Sequence, residues 1–234
     1  MQIRCCWEHQ GEDTMLHALD FPGVCSRGNN KAAAIAKMPQ AIRSYCAWCQ
    51  LEVPSNLIVI LVEACESMAR IADGDSMALF TKEKEALTMA EYEGLKARCL
   101  LSACDFLRFY ASMPEKQTSP LPIRKTFYGF VPRTAEEMYV HTKNVNSYYW
   151  QNIHVMADDE GSILENRQRG FALLEKEPNF LNSHLYQAKD QEWWSLRKVL
   201  RRFLWHDRLH AKAMGRMAEM QGWKVEDIFC FHVK

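Results

Sequence analysis

The sequence has no excess of charge of either sign and no long apolar run. Its 29 Lys and Arg residues balance 29 Asp and Glu residues, so the formal net charge is +0. A dedicated nucleic-acid-binding protein needs surplus cations to displace counterions from phosphate, and we therefore expect no nucleic acid partner. No apolar stretch approaches the roughly 20 residues that cross a bilayer, which argues against a membrane-spanning helix.

The sequence also lacks a regular cysteine framework and the residue order of a secretion signal. Its nine cysteines are odd in number and irregularly spaced, whereas small secreted domains carry evenly counted cysteines in a disulfide frame. Residues 1–7 do not show the basic, apolar and small-residue order of a signal peptide. We expect reduced thiols and a cytoplasmic protein.

What the sequence does contain is enough apolar residues, 48% of 234, to build a globular core. Up to residue 70 the pattern predicts strand, strand, strand, helix, strand. Extended runs at 2–9, 14–21 and 24–27 are separated by turn-forming residues, and an Ala-rich helix follows to about residue 50. The β-branched run LIVILVEA from residue 57 indicates the last strand. We assign residues 1–70 to a small α/β sheet domain.

From about residue 80 the apolar spacing becomes helical. It predicts helices at about 88–113, 134–156, 162–176 and 190–221. Thr134 and Glu137 form a capping box at the start of the second of these, and Asp190 can cap the last. Four such helices joined by long loops suggest an antiparallel four-helix bundle over residues 80–234. The predicted fold class is α+β, a sheet domain followed by an all-α bundle.

Two of these helices carry histidine on the side predicted to face the core. The stripe of the last helix consists of Leu196, Val199, Phe203, His206, His210, Ala213 and Met217. The stripe of the second consists of Met138, His141, Val145, Tyr148, Asn152 and Val155. His206 and His210 are four residues apart, so they lie one above the other on a single face. If the two helices are neighbours, His141 completes a set of three.

Three neutral imidazoles directed at one point suit a borderline divalent metal such as Zn or Ni. Three protein ligands leave a further coordination position for water or substrate, which is typical of a catalytic site. The competing interpretation is that the histidines are hydrogen-bonded core residues. A zincin-type HxxxH site with Asp207 as the base is less favoured, because aspartate is shorter than the usual glutamate and lies off the stripe. A di-iron centre is rejected because it requires several glutamates that face the core, and the two stripes contain none.

Several aromatic residues are candidates for the wall of a pocket near the metal: Tyr148, Tyr149, Trp150, Trp193 and Trp194. Tyr148 is preferred because it shares the His141 stripe, and Trp193 and Glu192 are the other two residues that we select. The last helix also carries a series of basic residues. These are Arg197, Lys198, Arg201, Arg202 and Arg208. We interpret them as a solvated outer face rather than as a site for an anionic ligand.

At these residues the chain resembles the DinB-like family of four-helix bundles. The segment EWWSLRKVLRRFLWHDRLH, residues 192–210, is similar to the helix in which that family places its HxxxH pair. The segment TAEEMYVH, residues 134–141, resembles the family's second helix, which carries the first ligand. The likeness covers about residues 80–225. It implies a three-His divalent metal site. Family members include thiol-cofactor-dependent transferases and a mycothiol-dependent isomerase, so the likeness also implies a low-molecular-weight thiol cofactor.

The first part of the chain resembles the HicB-like antitoxin fold. The residues that carry this likeness are ALDFPGVCSRG, 18–28, and PQAI, 39–42, in the Ala-rich helix. The likeness covers about residues 1–66. No toxin sequence and no separate DNA-binding tail accompany it, so we expect a sheet module fused to the bundle.

Together these patterns predict a metal-dependent transferase, isomerase or hydrolase acting on a small-molecule substrate. The alternative is a non-catalytic metal-binding or partner-binding module with an antitoxin-like N-terminal domain. The sequence leaves a homodimer open.

Overall fold

The chain folds into a four-stranded mixed sheet and five α-helices within the residues that the structure describes, 1–53, 55–68, 70–126 and 129–232. The structure is a computed structural model. The predicted α+β class is confirmed at this level. The predicted boundaries of the two domains, at residues 70 and 80, stay a prediction.

The sheet contains the first three strands and the fourth strand in the predicted chain order. The strands are β1 (Gln2–Gln10), β2 (Asp13–Ala18), β3 (Cys25–Gly28) and β4 (Ile58–Glu66), and helix α1 (Lys31–Trp48) connects β3 to β4. They lie in the order β3-β2-β1-β4, with β1 antiparallel to β2 and parallel to β4. The long crossover through α1 is what a parallel neighbour requires. Asn30 caps α1 by accepting a hydrogen bond from the Ala33 amide.

Four α-helices follow the sheet. They are α2 (Met89–Ala111), α3 (Ala135–Gln151), α4 (Ile163–Leu174) and α5 (Leu196–Met220). The capping box of Thr134 and Glu137 is present at the start of α3, as predicted. Helix α5 packs against α2 and α3, and α4 packs against the same two helices. This arrangement brings the His141 helix beside the His206 helix.

The start of α5 differs from the prediction. The cap is Ser195, whose hydroxyl accepts from the Lys198 amide, and not Asp190. Residues Trp193–Trp194 form a strand, β8, that pairs with β7 (Tyr186–Gln187). Trp193 and Trp194 therefore belong to a β-hairpin and not to the predicted helix. Their pairing with β7 satisfies their backbone hydrogen-bonding groups. The remaining short strands are β5 (Lys125–Thr126) and β6 (Gly129–Phe130).

The basic residues of α5 do not form a solvated face, so that interpretation is wrong for most of them. Lys198, Arg201, Arg202 and Arg208 are all buried. Lys198 donates to the carbonyl oxygens of Met77 and Trp193 at 2.9 and 2.8 Å. Arg201 pairs with Glu83, and Arg202 donates to the Ser76 carbonyl. Long cationic side chains can reach polar partners across apolar surface, and here they bind the segment that connects the sheet to α2.

Two further expectations concern the cysteines and the membrane. All nine cysteines are free. Among the described residues, no helix combines the length and the apolar character that crossing a membrane requires.

The turn between β2 and β3 approaches the backbone of α5 so closely that only glycine fits. Gly23 has a φ of +89°, and a Cβ added there would lie 2.4 Å from the Leu204 Cβ and 3.1 Å from the Trp205 amide nitrogen. We expect Gly23→Ala to lower the free energy of unfolding by about 2 kcal/mol more than Gly11→Ala, because overpacking against backbone adds to the strain of a positive φ.

Gly11 is the matched control, because its φ is +57° and an added Cβ would meet nothing within 4 Å. Urea unfolding of both variants measures the difference. Equal destabilisation of the two variants would mean that α5 does not pack against this turn as described.

Candidate metal centre

Three histidines from two helices meet at one place. Helix α3 supplies His141, and α5 supplies His206 and His210. One ring nitrogen from each lies within 4.8 Å of the others, the only such group of metal-ligating side chains found among the described residues. The ring centroids are 4.5 to 5.0 Å apart. The predicted proximity of these three side chains is confirmed.

The spacing of the nitrogens fits a shared cation. The Nε2 atoms of His141 and His206 are 3.2 Å apart. With zinc–nitrogen bonds of about 2.0–2.1 Å, that separation corresponds to a ligand–metal–ligand angle of roughly 100°, close to the tetrahedral value. The residues present therefore fit a divalent metal held by three imidazoles.

The three rings lie in surroundings that keep them uncharged. Burial lowers the pKa of His141, and burial together with His141 lowers the pKa of His210 to about 3. Burial, followed by the charges of His210 and His141, lowers the pKa of His206 well below its ordinary value. Imidazole binds metal in its neutral form. At neutral pH, each of the three rings therefore has a nitrogen lone pair available to a metal without first losing a proton.

Ring packing, more than hydrogen bonding, orients the central histidine, His206. The Nδ1 atom of His206 is buried and has no hydrogen-bond partner among the described residues. The ring of Tyr149 lies edge-on to His206 with centroids 6.0 Å apart, and it also contacts Phe203. Metal at Nε2 would place the remaining proton on Nδ1.

The structure places the pocket candidate Tyr148 beside Trp194. Tyr149, not Tyr148, contacts His206; Tyr148 is 44% exposed and lies edge-on to Trp194. The buried side of α3 includes Met138, Thr142, Asn146 and Tyr149. The observed buried face of α3 is displaced by about one residue from the predicted stripe, so Tyr148 lies outside it.

The other two pocket candidates belong to the β7–β8 hairpin. Trp193 is 45% exposed. Glu192 is buried, and its carboxylate lies 2.7 Å from the ammonium group of Lys198. Burial raises the pKa of Glu192, and the charge of Lys198 opposes that effect. No described contact joins either residue to the three histidines.

The sequence reasoning missed a buried polar network beside the histidines. Arg167 of α4 makes two hydrogen bonds of 3.1 Å to the Asp207 carboxylate, and both side chains are fully buried. Arg167 also donates to Asn146 of α3 at 2.6 Å and to the Cys99 carbonyl of α2 at 3.4 Å. One side chain thus links all four later helices. The signal for this network in the sequence was Arg167, which lies on the side of the predicted helix 162–176 that faces the core.

Comparison with known proteins adds nothing to this geometry. No protein-family model, no curated protein and no solved structure matches the chain. The site is therefore interpreted from its own residues.

Proposed function

We propose that this chain is a divalent-metal-binding protein in which α2, α3, α4 and α5 form a DinB-like four-helix bundle joined to a HicB-like sheet unit. The observation that carries the metal proposal is the convergence of three neutral imidazoles within 4.8 Å. Zn and Ni are the metals that such a ligand set favours. The bundle assignment is supported by the mutual packing of these helices.

The three-His set favours a metal-dependent enzyme over a structural site. His141, His206 and His210 would hold the ion, and the ion would act as a Lewis acid toward water, a thiol or a carbonyl group. Tyr149 packs edge-on against His206 and contacts Phe203, so aromatic surface covers one side of this histidine. His141 is only partly buried, whereas His206 is buried. A transferase, isomerase or hydrolase of small molecules, with a low-molecular-weight thiol as cofactor, suits this arrangement.

One observation favours the non-catalytic alternative, a metal-binding or partner-binding module. The cavity between the end of β2, α2 and α5 is not lined by any of the three histidines. A module of this kind would use metal for stability alone.

Metal analysis of the purified protein tests the site itself. We expect about one equivalent of divalent metal per chain in the native protein and less than about a tenth in His206→Ala, because two imidazoles rarely hold zinc. His184→Ala is the matched control, since His184 is exposed and lies outside the site. Equal metal content in the His206 variant, or none in the native protein, contradicts the proposal.

Cobalt substitution separates the enzyme from the non-catalytic module. If a coordination position is open, addition of a small thiol to the cobalt protein produces a thiolate-to-cobalt absorption band. A cobalt spectrum that does not change with the thiol, together with a loss of thermal stability on chelation, supports the module.

A further inference from the structure

A cavity separate from the candidate metal centre lies where the sheet meets the helices. Its volume is about 250 Å³, and its wall comes from the end of β2, the short helical turn Thr81–Lys84, α2 and α5. The three histidines of the candidate metal centre do not line it. Cavities between structural units are common places for small ligands.

The charged residues of this cavity leave one cation in excess. Its lining includes four cations, of which Arg197 and Arg201 are on α5, and three carboxylates, Asp20, Glu83 and Glu91. Each carboxylate already has a partner in the protein. Asp20 pairs with Arg4, which does not line the cavity. The other two carboxylates are bound by the two α5 arginines.

The cation left without a carboxylate is Arg98. It lies on α2 and is half-buried. No carboxylate within the described part of the chain lies at ion-pair distance from it, whereas Lys82, the remaining cation, pairs with Glu85 at 2.5 Å. In addition, the Nη1 atom of Arg201 is buried and has no hydrogen-bond partner among the described residues. Arg98 also interacts with the Tyr45 hydroxyl. A guanidinium has five donors, so Arg98 keeps others for an oxyanion at the cavity.

The rest of the wall is apolar. Leu19, Pro22, Phe80 and Leu95 line it, and the Arg201 guanidinium lies 4.3 Å above the Phe80 ring centroid. A cavity of about 150 Å³ is large enough to bind benzene, so this cavity of about 250 Å³ has room for a ring-sized body and a small polar group. A ligand of that size would bury a short apolar body against these side chains.

We propose that this cavity binds a small monocarboxylate with an apolar body, its carboxylate on Arg98 and its body against Leu95 and Phe80. A doubly charged phosphate fits less well, because three carboxylates lie around the cavity and only one cation is unbalanced. A neutral molecule of the same shape would leave the arginine donors unpaired.

Binding of benzoate to the metal-loaded full chain tests the proposal, with benzyl alcohol and inorganic phosphate as the comparison ligands. We expect saturable binding of benzoate with a dissociation constant of about 1 mM or below, and at least about tenfold weaker binding of the other two. The methyl signals of Ala18, Leu19 and Leu95 should shift on titration in nuclear magnetic resonance spectra.

Arg98→Gln should weaken benzoate binding at least about tenfold, because the charge-assisted hydrogen bonds are lost. The variant leaves no carboxylate unpaired, so we expect it to fold. Arg216→Gln is the matched control: it removes the same charge from an exposed position on α5. Equal binding of benzoate and benzyl alcohol, tighter binding of phosphate, or shifts at other methyl groups would each overturn the assignment. The methyl shifts in the native protein decide the matter if the Arg98 variant does not fold.

Discussion

Replacing Asp207 by alanine lowers the free energy of unfolding by about 3–5 kcal/mol, the largest single-residue effect that we expect in this protein. Asp207 and Arg167 are both fully buried and share two hydrogen bonds. Removing the carboxylate leaves the guanidinium without its counter-charge in surroundings from which water is excluded. Chemical denaturation of the native and variant proteins measures the loss.

The double variant Arg167→Met with Asp207→Leu is the control that separates lost charge pairing from lost packing. Apolar residues of similar size commonly replace a buried ion pair with little net change in stability. We therefore expect the double variant to be much closer to the native protein than Asp207→Ala. A double variant as unstable as the single one would show that the charges themselves are not the cause.

The same network explains how the three candidate ligands from two helices keep their relative positions. Arg167 holds Asn146 of α3 and Asp207 of α5, and each of these residues lies within a few positions of a candidate metal ligand. The distance between His141 and His206 therefore depends on a helix, α4, that supplies no ligand. Variation in α4 would act on the candidate metal site through this arginine.

Much of the fold follows from local patterns in the sequence. The β-branched run 57–64 corresponds closely to β4, and the Thr134 capping box marks the start of α3. The i, i+4 spacing of His206 and His210 is local as well, so it predicted their shared face. These features depend on residues near one another in the chain, which is why the sequence alone was sufficient.

Other features depend on partners distant in sequence. Lys198 and Arg202 are polar by type, yet they are buried because carbonyl oxygens of the segment 75–78 meet them. Thr142 and Asn146 are polar, yet they are fully buried on α3. A prediction based on apolar residues alone therefore placed the buried face about one residue away from its observed position. For this reason it preferred Tyr148 to Tyr149. A hydrophobic pattern cannot identify a polar residue that is paired inside the protein.

The second large effect is a loss of stability in acid that depends on Glu8. This carboxylate is fully buried on β1 and accepts hydrogen bonds from His17, Ser67 and Ser76 at 2.9, 3.0 and 2.6 Å. Burial alone would raise the pKa of Glu8, but the hydrogen bond and charge of His17, with the two hydroxyls, lower it to about 2. Burial lowers the pKa of His17, against the hydrogen bond to Glu8.

Both shifts make the folded protein less stable in acid than at neutral pH. Below pH of about 6.5, the unfolded chain takes up a proton at His17 that the folded protein resists. Below about 4.5, the unfolded chain also protonates Glu8, while the folded protein keeps it ionised down to about pH 2. Glu8 thus contributes about 3 kcal/mol at neutral pH, which is lost progressively as the pH falls from about 4.5 to 2.

Urea unfolding of the native protein and of Glu8→Gln, repeated between pH 7 and pH 3, measures this contribution. The two free energies should converge as the pH falls, because the variant has no carboxylate to protonate at this position. Glu12→Gln is the control, since Glu12 is exposed and its removal should leave the acid dependence unchanged. If the native and Glu8→Gln curves stay parallel, the buried carboxylate does not link the sheet to Ser67 and Ser76 in the way described. If they converge, the ionised carboxylate of Glu8 fixes the segment that contains Ser76 to β1, and acid removes this link. Arg202 of α5 binds the same segment.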